Sequence, residues 1–223
     1  MSTVSKAQES ITNRAGLGAS DIDGFSTKEK LVRAASTLFS ECGFDGVRVG
    51  EIEALAGVQR GLLKYHFGDM ESIWKAAADD LFGKLVDFRN ARNETEIDLS
   101  PEEQLSFRIR SFVRYSARCP ELNRMMVQEG IRDSWRMVYI VDNFMRPLVQ
   151  NLQALVAENL SLSDEEFLHW YYMYVGGGAL MFSVAPESKH LFGVDVQDPK
   201  IVSRHARMAA QFLLNGAKRQ EQA

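Results

Sequence analysis

Residues 43–71 read GFDGVRVGEIEALAGVQRGLLKYHFGDME and contain the clearest local signals in the chain. Apolar residues at helical spacing predict one short helix from Val49 to Ala56 and another from Gln59 to Phe67. Gly57 breaks the chain between them. The first short helix is predicted to turn three apolar side chains inward, Ile52, Leu55 and Ala56. The pattern is that of a helix-turn-helix.

The outward side of the second short helix has the chemistry to bind DNA. On a helical wheel starting at Gln59, one side carries Leu62, Leu63 and His66, and the other carries Arg60, Gly61, Lys64 and Tyr65. An arginine can bond to O6 and N7 of guanine or to phosphate, a lysine offers a mobile cation, and a tyrosine hydroxyl can bond to phosphate. The glycine permits close approach to the duplex.

Charge alone does not decide this interpretation. Between Thr27 and Lys75 there are seven basic and seven acidic residues, so seven minus seven leaves no net charge. The prediction therefore depends on where the side chains point, and the alternative is that Arg60 and Lys64 only keep a surface helix solvated.

The segment from Gly43 to Glu71 resembles the amino-terminal domain of TetR/AcrR transcriptional regulators. The shared features, in order, are Gly43-Phe44, Ile52, Ala56-Gly57-Val58, Gly61 and Tyr65-His66-Phe67. The resemblance implies an amino-terminal DNA-binding domain and a larger carboxy-terminal domain that dimerises and senses a small apolar molecule. The predicted DNA-binding residues are Thr27, Arg48, Gln59, Arg60, Gly61, Lys64, Tyr65 and His66.

Several positions depart from the family pattern. Val47 and Arg48 replace the common Thr/Ser cap of the second helix, Glu53 replaces a small residue, and Gln59 replaces a serine. Met70 stands where a phosphate-contacting lysine is common, which puts that contact in doubt. We expect Arg48 to supply a substitute cation to the DNA backbone.

The rest of the chain is also helical in pattern, and we expect an all-α fold of about nine helices. Residues 1–25 are predicted to be a flexible arm, 26–69 the helix-turn-helix domain and 70–223 the ligand-binding and dimerisation domain. Ser26 and Glu29 form a capping-box pattern that opens the first helix. Its inward residues are predicted to be Leu31, Ala35, Leu38, Phe39 and Cys42, with Gly43 ending the helix.

The later helices are predicted from caps, prolines and apolar stripes. Asp69 caps a long helix to about Arg92, followed by a polar connection to Ser100. The remaining predicted helices run from Pro101 to before Pro120, from Glu121, from Ser134 to Leu160 with a kink at Pro147, from Asp164 to Ala185, and from Pro199, after the cap Asp198, to Asn215.

The carboxy-terminal half is rich in aromatic residues and methionine, which suits a pocket for a hydrophobic compound. The predicted pocket residues are Phe82, Phe112, Tyr115, Met126, Trp135, Tyr139, Trp170 and Tyr174. Ordinary core packing is the alternative for each of them.

Gly176, Gly177 and Gly178 weaken a helix by about 1 kcal/mol each relative to alanine, which favours the close approach of another backbone. A broken helix is the alternative. The family resemblance implies that the last two helices form the dimer interface. The predicted interface residues are Tyr171, Gly177, Gly178, Met208 and Phe212.

Composition excludes several classes of protein. The 223 residues carry a net charge of −4 and only two cysteines, Cys42 and Cys119, which are predicted to be small buried hydrophobic residues. The histidines are too scattered for a metal site, and no phosphate loop or nucleophile motif is present. With no apolar leader or membrane-spanning stretch, we expect a cytoplasmic protein without a cofactor, metal or catalytic activity.

The predicted function is that of a homodimeric repressor. It binds a pseudo-palindromic double-stranded DNA operator and is released by a small hydrophobic effector. The alternative is a DNA-bound adaptor, or a constitutive regulator, that acts through protein contacts with no small-molecule response. A helical enzyme is the third class, and no acid-base or nucleophile arrangement supports it.

Overall fold

The computed structural model describes residues 24–96 and 98–220, and their side chains except those of 93–96 and 216–220. Apart from Gly24 and Phe25, the predicted arm lies outside the described residues. No strand occurs in the described ranges, so the predicted all-α class is confirmed. No helix in this part of the chain is long and apolar enough to cross a membrane.

The helices are, in chain order, α1 (Thr27–Cys42), α2 (Val49–Leu55), α3 (Leu62–Phe67), α4 (Met70–Glu96), α5 (Pro101–Arg118), α6 (Pro120–Gly130), α7 (Trp135–Ile140), α8 (Arg146–Leu160), α9 (Asp164–Ser183), α10 (Ala185–Phe192) and α11 (Pro199–Gln220). A 3₁₀ turn at Phe44–Gly46 follows α1, and a π-helical turn at Val141–Met145 joins α7 to α8.

The described chain forms two compact units. The first comprises the described part of Met1–Lys84 together with Arg124–Met137, and the second comprises that of Leu85–Asn123 with Val138–Ala223. Helix α4 is continuous through the boundary at Lys84 and Leu85.

Helix α1 begins and ends as its sequence predicts. The Ser26 hydroxyl accepts the Glu29 amide at 3.3 Å, and the Glu29 carboxylate accepts the Ser26 amide at 2.8 Å, which completes the capping box. The Ser26 hydroxyl also donates to the Glu29 carboxylate at 2.6 Å, and this bond, together with the one from the Ser26 amide, holds the pKa of Glu29 below its usual value. At the other end Gly43, with φ of 69°, donates its amide to the Phe39 carbonyl at 3.0 Å.

The interior of the first unit is built from α1, α2, α3 and the start of α4. Its fully buried side chains include Leu31, Phe39, Ile52, Leu63 and Trp74. The inward placement of Ile52, Leu55 and Ala56 is confirmed. The prediction for Cys42 is wrong, because this residue ends α1 on the exposed side of the last turn, and Cys119 is only half-buried.

A buried ionic network joins residues 124–137 to the rest of the first unit. The Glu129 carboxylate accepts the Trp74 indole N–H at 3.1 Å and the Arg136 Nε–H at 2.7 Å. Glu129 is 1% exposed and Arg136 is 7% exposed, and the Arg136 guanidinium lies 4.5 Å from the Phe44 ring centroid. Since each charge has a hydrogen-bonded partner, the network is tolerated in the interior. Sequence analysis did not anticipate it.

The second unit is a helical bundle in which α5 packs against α8, α9 and α11. Leu105, Ile109 and Phe182 are fully buried in its core. The Trp170 indole N–H donates to the Leu213 carbonyl at 3.2 Å, which ties α9 to α11. Capping boxes open α5 at Ser100 and Glu103 and open α9 at Ser163 and Glu166.

The interruption predicted at Pro147 lies one turn earlier, in the π-helical turn Val141–Met145. Proline has no amide to donate and its ring crowds the preceding turn, so the helix widens just before it. Pro147 itself stands in the first turn of α8.

Two helices, α4 and α11, end later than predicted, and a third, α10, was not predicted. Helix α4 continues to Glu96, through part of the predicted connection, because its last turns are polar and lack the apolar periodicity used to find helices. Helix α11 likewise continues beyond Asn215 to Gln220. Helix α10 was missed; it ends at Phe192 and is capped by Gly193, whose φ of 65° suits a glycine.

Gly178→Ala should destabilise the protein. A Cβ atom at this position would lie 2.8 Å from two ring carbons of Phe112, so α5 or its ring must shift, at about 1–3 kcal/mol. Gly176 on the same helix has nothing within 4 Å of such a Cβ, and Gly176→Ala should stabilise by about 1 kcal/mol. Urea unfolding measures both, and equal effects would contradict the packing described.

Candidate nucleic-acid interface

The turn before α3 is set by Gly61. Its φ is 91°, a left-handed conformation that residues with a Cβ atom rarely adopt. The helix therefore begins at Leu62, and the prediction that it begins at Gln59 is wrong by one turn. A Cβ on Gly61 would meet nothing within 4 Å, so within this chain the glycine is required for its backbone conformation and not for space.

A buried carboxylate fixes this turn. Oε1 of Glu53 accepts the amides of Gly61 at 2.8 Å and of Leu63 at 3.0 Å, and Glu53 is 3% exposed. It thereby satisfies two amide groups at the start of α3 that the helix itself leaves unpaired. Sequence analysis noted Glu53 only as a departure from the family pattern. Because the Glu53 carboxylate lies eight residues before the Gly61 amide that it accepts, no short sequence motif predicts this cap.

The three side chains with DNA-binding chemistry point outward. Arg60, Lys64 and Tyr65 are all exposed, and Tyr65 is 81% exposed. The sequence from Gln59 to Phe67 contains no acid, and the nearby Glu53 is turned into the interior. The outward side of α3 is therefore cationic and aromatic.

The other predicted DNA-binding residues surround this side. Gln59 and Gly61 are exposed, and so is Arg48, the N-cap of α2, whose amide donates to the Glu51 carboxylate at 2.8 Å. Thr27 is half-buried as the first residue of α1.

His66 differs from its predicted orientation on the wheel. It was placed on the inner side with Leu62 and Leu63, yet it is exposed and stacks edge-on against Tyr65 with ring centroids 5.0 Å apart. Because α3 begins at Leu62, the first turn of the helical wheel drawn from Gln59 is not helical in the structure. Only Leu63 is fully inside, and Leu62 is half-buried.

The end of α3 and the start of α4 complete the first unit. The Lys28 ammonium lies 5.7 Å from the Phe67 ring centroid, which brings the beginning of α1 near the end of α3. Asp69 accepts the Ser72 amide at 2.8 Å, and this bond keeps the pKa of Asp69 low. The predicted cap of α4 is thus confirmed. Met70, the residue in the family's lysine position, is half-buried.

The structure divides the predicted pocket residues. Phe112, Tyr115 and Tyr174 line one cavity of about 70 Å³ in the second unit. Phe82 and Met126 belong to the first unit, where Phe82 is completely buried.

The other three predicted pocket residues also lie elsewhere. Trp135 packs edge-on against Trp74 in the first unit, with ring centroids 5.1 Å apart. Tyr139 packs against Phe144, and Trp170 faces a different depression.

The predicted interface residues are also divided. A groove of about 600 Å³ between α9 and α11 is lined by Gly177, Met208 and Phe212, among others. Gly178 instead faces the interior against Phe112, and Tyr171 lines the cavity of the second unit. Helix α9 has bulky residues on all sides, and their spacing in the sequence did not indicate which of them face the groove and which face the cavity.

The fold and the outward basic side of α3 define a helix-turn-helix DNA-binding protein. Residues 31–77 match the family model of bacterial regulatory proteins, tetR family. A negative regulator of the biofilm operon, IcaR of Staphylococcus epidermidis, is 33% identical over 73 residues, which is 32% of this chain and 40% of that protein. The transcriptional repressor NicS of Pseudomonas putida is 23% identical over 215 residues, covering 93% of this chain and 99% of NicS.

The whole fold is also similar to solved structures. The regulator FadR of Bacillus subtilis, solved in complex with stearoyl-CoA, has a TM-score of 0.60 and 14% identity over 84% of this chain and 98% of that chain. The amino-terminal domain of this chain therefore belongs to the TetR family. Both of the curated relatives, IcaR and NicS, are transcriptional regulators.

Glu53→Ala should lower the free energy of unfolding by about 1–3 kcal/mol, because the buried Leu63 amide loses its acceptor. Glu71→Ala is the matched control. Glu71 is exposed and forms a surface ion pair with Lys75, so its loss should cost less than about 0.5 kcal/mol. Chemical denaturation compares the two variants, and a Glu53→Ala protein as stable as the control would refute the capping role.

Proposed function

We propose that this chain is a homodimeric repressor that binds a pseudo-palindromic DNA operator and leaves it when a small molecule binds. In this proposal residues 26–69 bind DNA, and residues 70–223 supply dimerisation and sensing. The observation that carries the proposal is the outward placement of Arg60, Lys64 and Tyr65 on a helix whose start is fixed by the Glu53 carboxylate. Repression agrees with the printed descriptions of IcaR and NicS.

Each of the three side chains has a distinct role at the duplex. Arg60 forks to O6 and N7 of a guanine in the major groove, which reads sequence. Lys64 and the Tyr65 hydroxyl bond to phosphate or base edges beside it, and Arg48 adds a cation on the adjacent helix. Tyr65 is 81% exposed, so its ring and hydroxyl are accessible to a DNA backbone.

The proposed dimer forms through α9 and α11. Their groove side carries Met173 at 60% exposure and Phe212 at 71%, beside Met208 at 46%. A contiguous apolar surface of this kind favours a second copy of the chain, since a twofold pair brings the same patch from each subunit together. Two recognition helices then enter successive major grooves about 34–36 Å apart.

Helix α4 is the proposed route from ligand to DNA. Trp74, in its first half, bonds to Glu129 in the network of the first unit, whereas Leu85, Phe88 and Arg89, in its second half, line the cavity of the second unit. A ligand that prefers one position of α4 shifts the equilibrium between DNA-binding states by its difference in affinity. The stearoyl-CoA complex of FadR supports ligand binding within this fold.

Arg60→Ala should weaken binding to an operator selected from random DNA by about 1–3 kcal/mol and relax preference at one base pair of each half-site. Lys64→Ala should weaken binding to all sequences and reduce its salt dependence. Lys84→Ala, an exposed lysine of α4 paired with Asp80, is the control and should bind normally. Fluorescence anisotropy measures these affinities. Wild-type affinity for both Arg60→Ala and Lys64→Ala would exclude α3 as the recognition helix.

Phe212→Glu should convert the dimer to a monomer and abolish high-affinity operator binding, because a carboxylate would be buried in the apolar interface. Phe192→Glu is the control, since Phe192 is equally exposed, at 74%, but lies on α10 outside the groove. Analytical ultracentrifugation distinguishes the two. A dimer that survives Phe212→Glu would place the interface elsewhere.

The adaptor alternative differs in its response to ligands. An adaptor or constitutive regulator binds the operator with the same affinity whatever compound is added, and it recruits a specific protein. Operator release by a compound that binds the second unit supports the sensing role. Unchanged operator affinity at saturating ligand contradicts that role.

A further inference from the structure

The groove between α9 and α11 contains a histidine that a hydrogen bond holds in place. Nε2 of His205, on α11, lies 2.6 Å from the carbonyl oxygen of Gly177 on α9. A carbonyl oxygen can only accept, so Nε2 carries a proton, and in the neutral ring Nδ1 carries none. The ring also meets the fully buried Phe182 edge-on, with ring centroids 5.9 Å apart. The imidazole is therefore fixed both in position and in tautomer.

The immediate surroundings of His205 are apolar. It lines the groove together with large apolar side chains that include Met173, Met208 and Phe212. In the part of the chain that the structure describes, none of its hydrogen-bond or ring contacts is with a carboxylate. The residue is half-buried in a single subunit, so water still reaches the ring there. A protonated imidazole is thus hydrated as long as the groove stays open.

The charged groups around the groove do not compensate a positive imidazole. On α9, Glu166 and His169 line the same groove, but they precede Gly177 by eleven and eight residues, which is about 16 and 12 Å along the helix axis. Both distances exceed the screening length of about 8 Å at physiological salt. On α11, the neighbouring Arg204 and Arg207 are exposed cations. No residue of α5, α8 or α10 within the described ranges lines the groove.

We propose that the α9–α11 groove is a pH-sensitive dimer contact, which forms with His205 neutral and dissociates when the imidazole is protonated. The proposal rests on the dimer proposed above and adds the regulation of that contact. A second copy that covers the groove removes water from the imidazole, and a cation buried there without a carboxylate is unfavourable. Separate subunits therefore bind more protons than the dimer, and falling pH favours separate subunits. A histidine changes its charge between about pH 5 and 8.

The first test measures the dimer dissociation constant of the full-length protein by sedimentation equilibrium at pH 7.5 and at pH 5.5. Each dimer buries two imidazoles, so this Kd should be about thirtyfold or more higher at pH 5.5. Far-UV circular dichroism should show the same helix content at both pH values. A Kd that is equal or lower at pH 5.5 would overturn the proposal. Loss of helix at pH 5.5 would assign the dissociation to unfolding and would overturn it as well.

The second test removes the charge and keeps the hydrogen bond. The amide of His205→Gln can still donate to the Gly177 carbonyl but is neutral at both pH values, so its two Kd values should agree within about threefold. Lost packing alone would change both values equally and leave their ratio at the wild-type figure. His169→Gln, in the same groove, is the matched control and should keep the wild-type ratio.

His205→Lys is the opposite variant, because it carries a positive charge at both pH values. Its dimer should already be about tenfold or more weaker than the wild type at pH 7.5. A wild-type ratio in His205→Gln, a lost ratio in His169→Gln, or wild-type dimer affinity of His205→Lys at pH 7.5 would each refute the assignment to His205.

The same measurements separate this proposal from the dimer on which it rests. A chain that is monomeric at pH 7.5 contradicts the proposed dimer and the pH dependence with it. A dimer with the same Kd at both pH values supports the proposed dimer and overturns only the pH dependence. Dimerisation is the readout in place of operator affinity, because His66 is an exposed histidine on the proposed DNA-binding side of α3.

Discussion

The hydrogen bonds from the Gly61 and Leu63 amides to the Glu53 carboxylate are the constraint on which the DNA-binding account depends. They fix where α3 begins and hence which of its side chains face outward. Without them, a helix of six residues has little intrinsic stability, because forming its first turn costs more free energy than its few hydrogen bonds supply. Burying the carboxylate against two amides also removes an acid from the surface where DNA is proposed to bind.

Much of the fold follows from the sequence, because its signals are local. Capping boxes, a proline in a first turn and apolar stripes located the start of α1, α4, α5, α9 and α11 to within a residue. The outward positions of Arg60, Lys64 and Tyr65 were also predictable, since Leu63 anchors the opposite side. The DNA-contact assignment itself remains a prediction.

The features that sequence analysis missed depend on distant partners. Glu53 accepts the amides of residues eight and ten positions later, and Glu129 binds Trp74 at a separation of 55 residues. Spacing also did not show which aromatic residues share a cavity, because Phe82 and Phe112 are the same residue type but belong to different units. Arg89 and Arg108, which are buried in the wall of the cavity of the second unit, were also overlooked, because no short sequence motif marks a buried arginine.

The central claim is that α3 reads the major groove as one half of a symmetric pair, and dimethyl sulfate footprinting on a selected operator tests it most directly. This reagent methylates guanine N7 in the major groove and adenine N3 in the minor groove. The account predicts protected guanines in two half-sites related by twofold symmetry and about 10 base pairs apart. Protection of adenine N3 alone, or of a single unrepeated site, would contradict it.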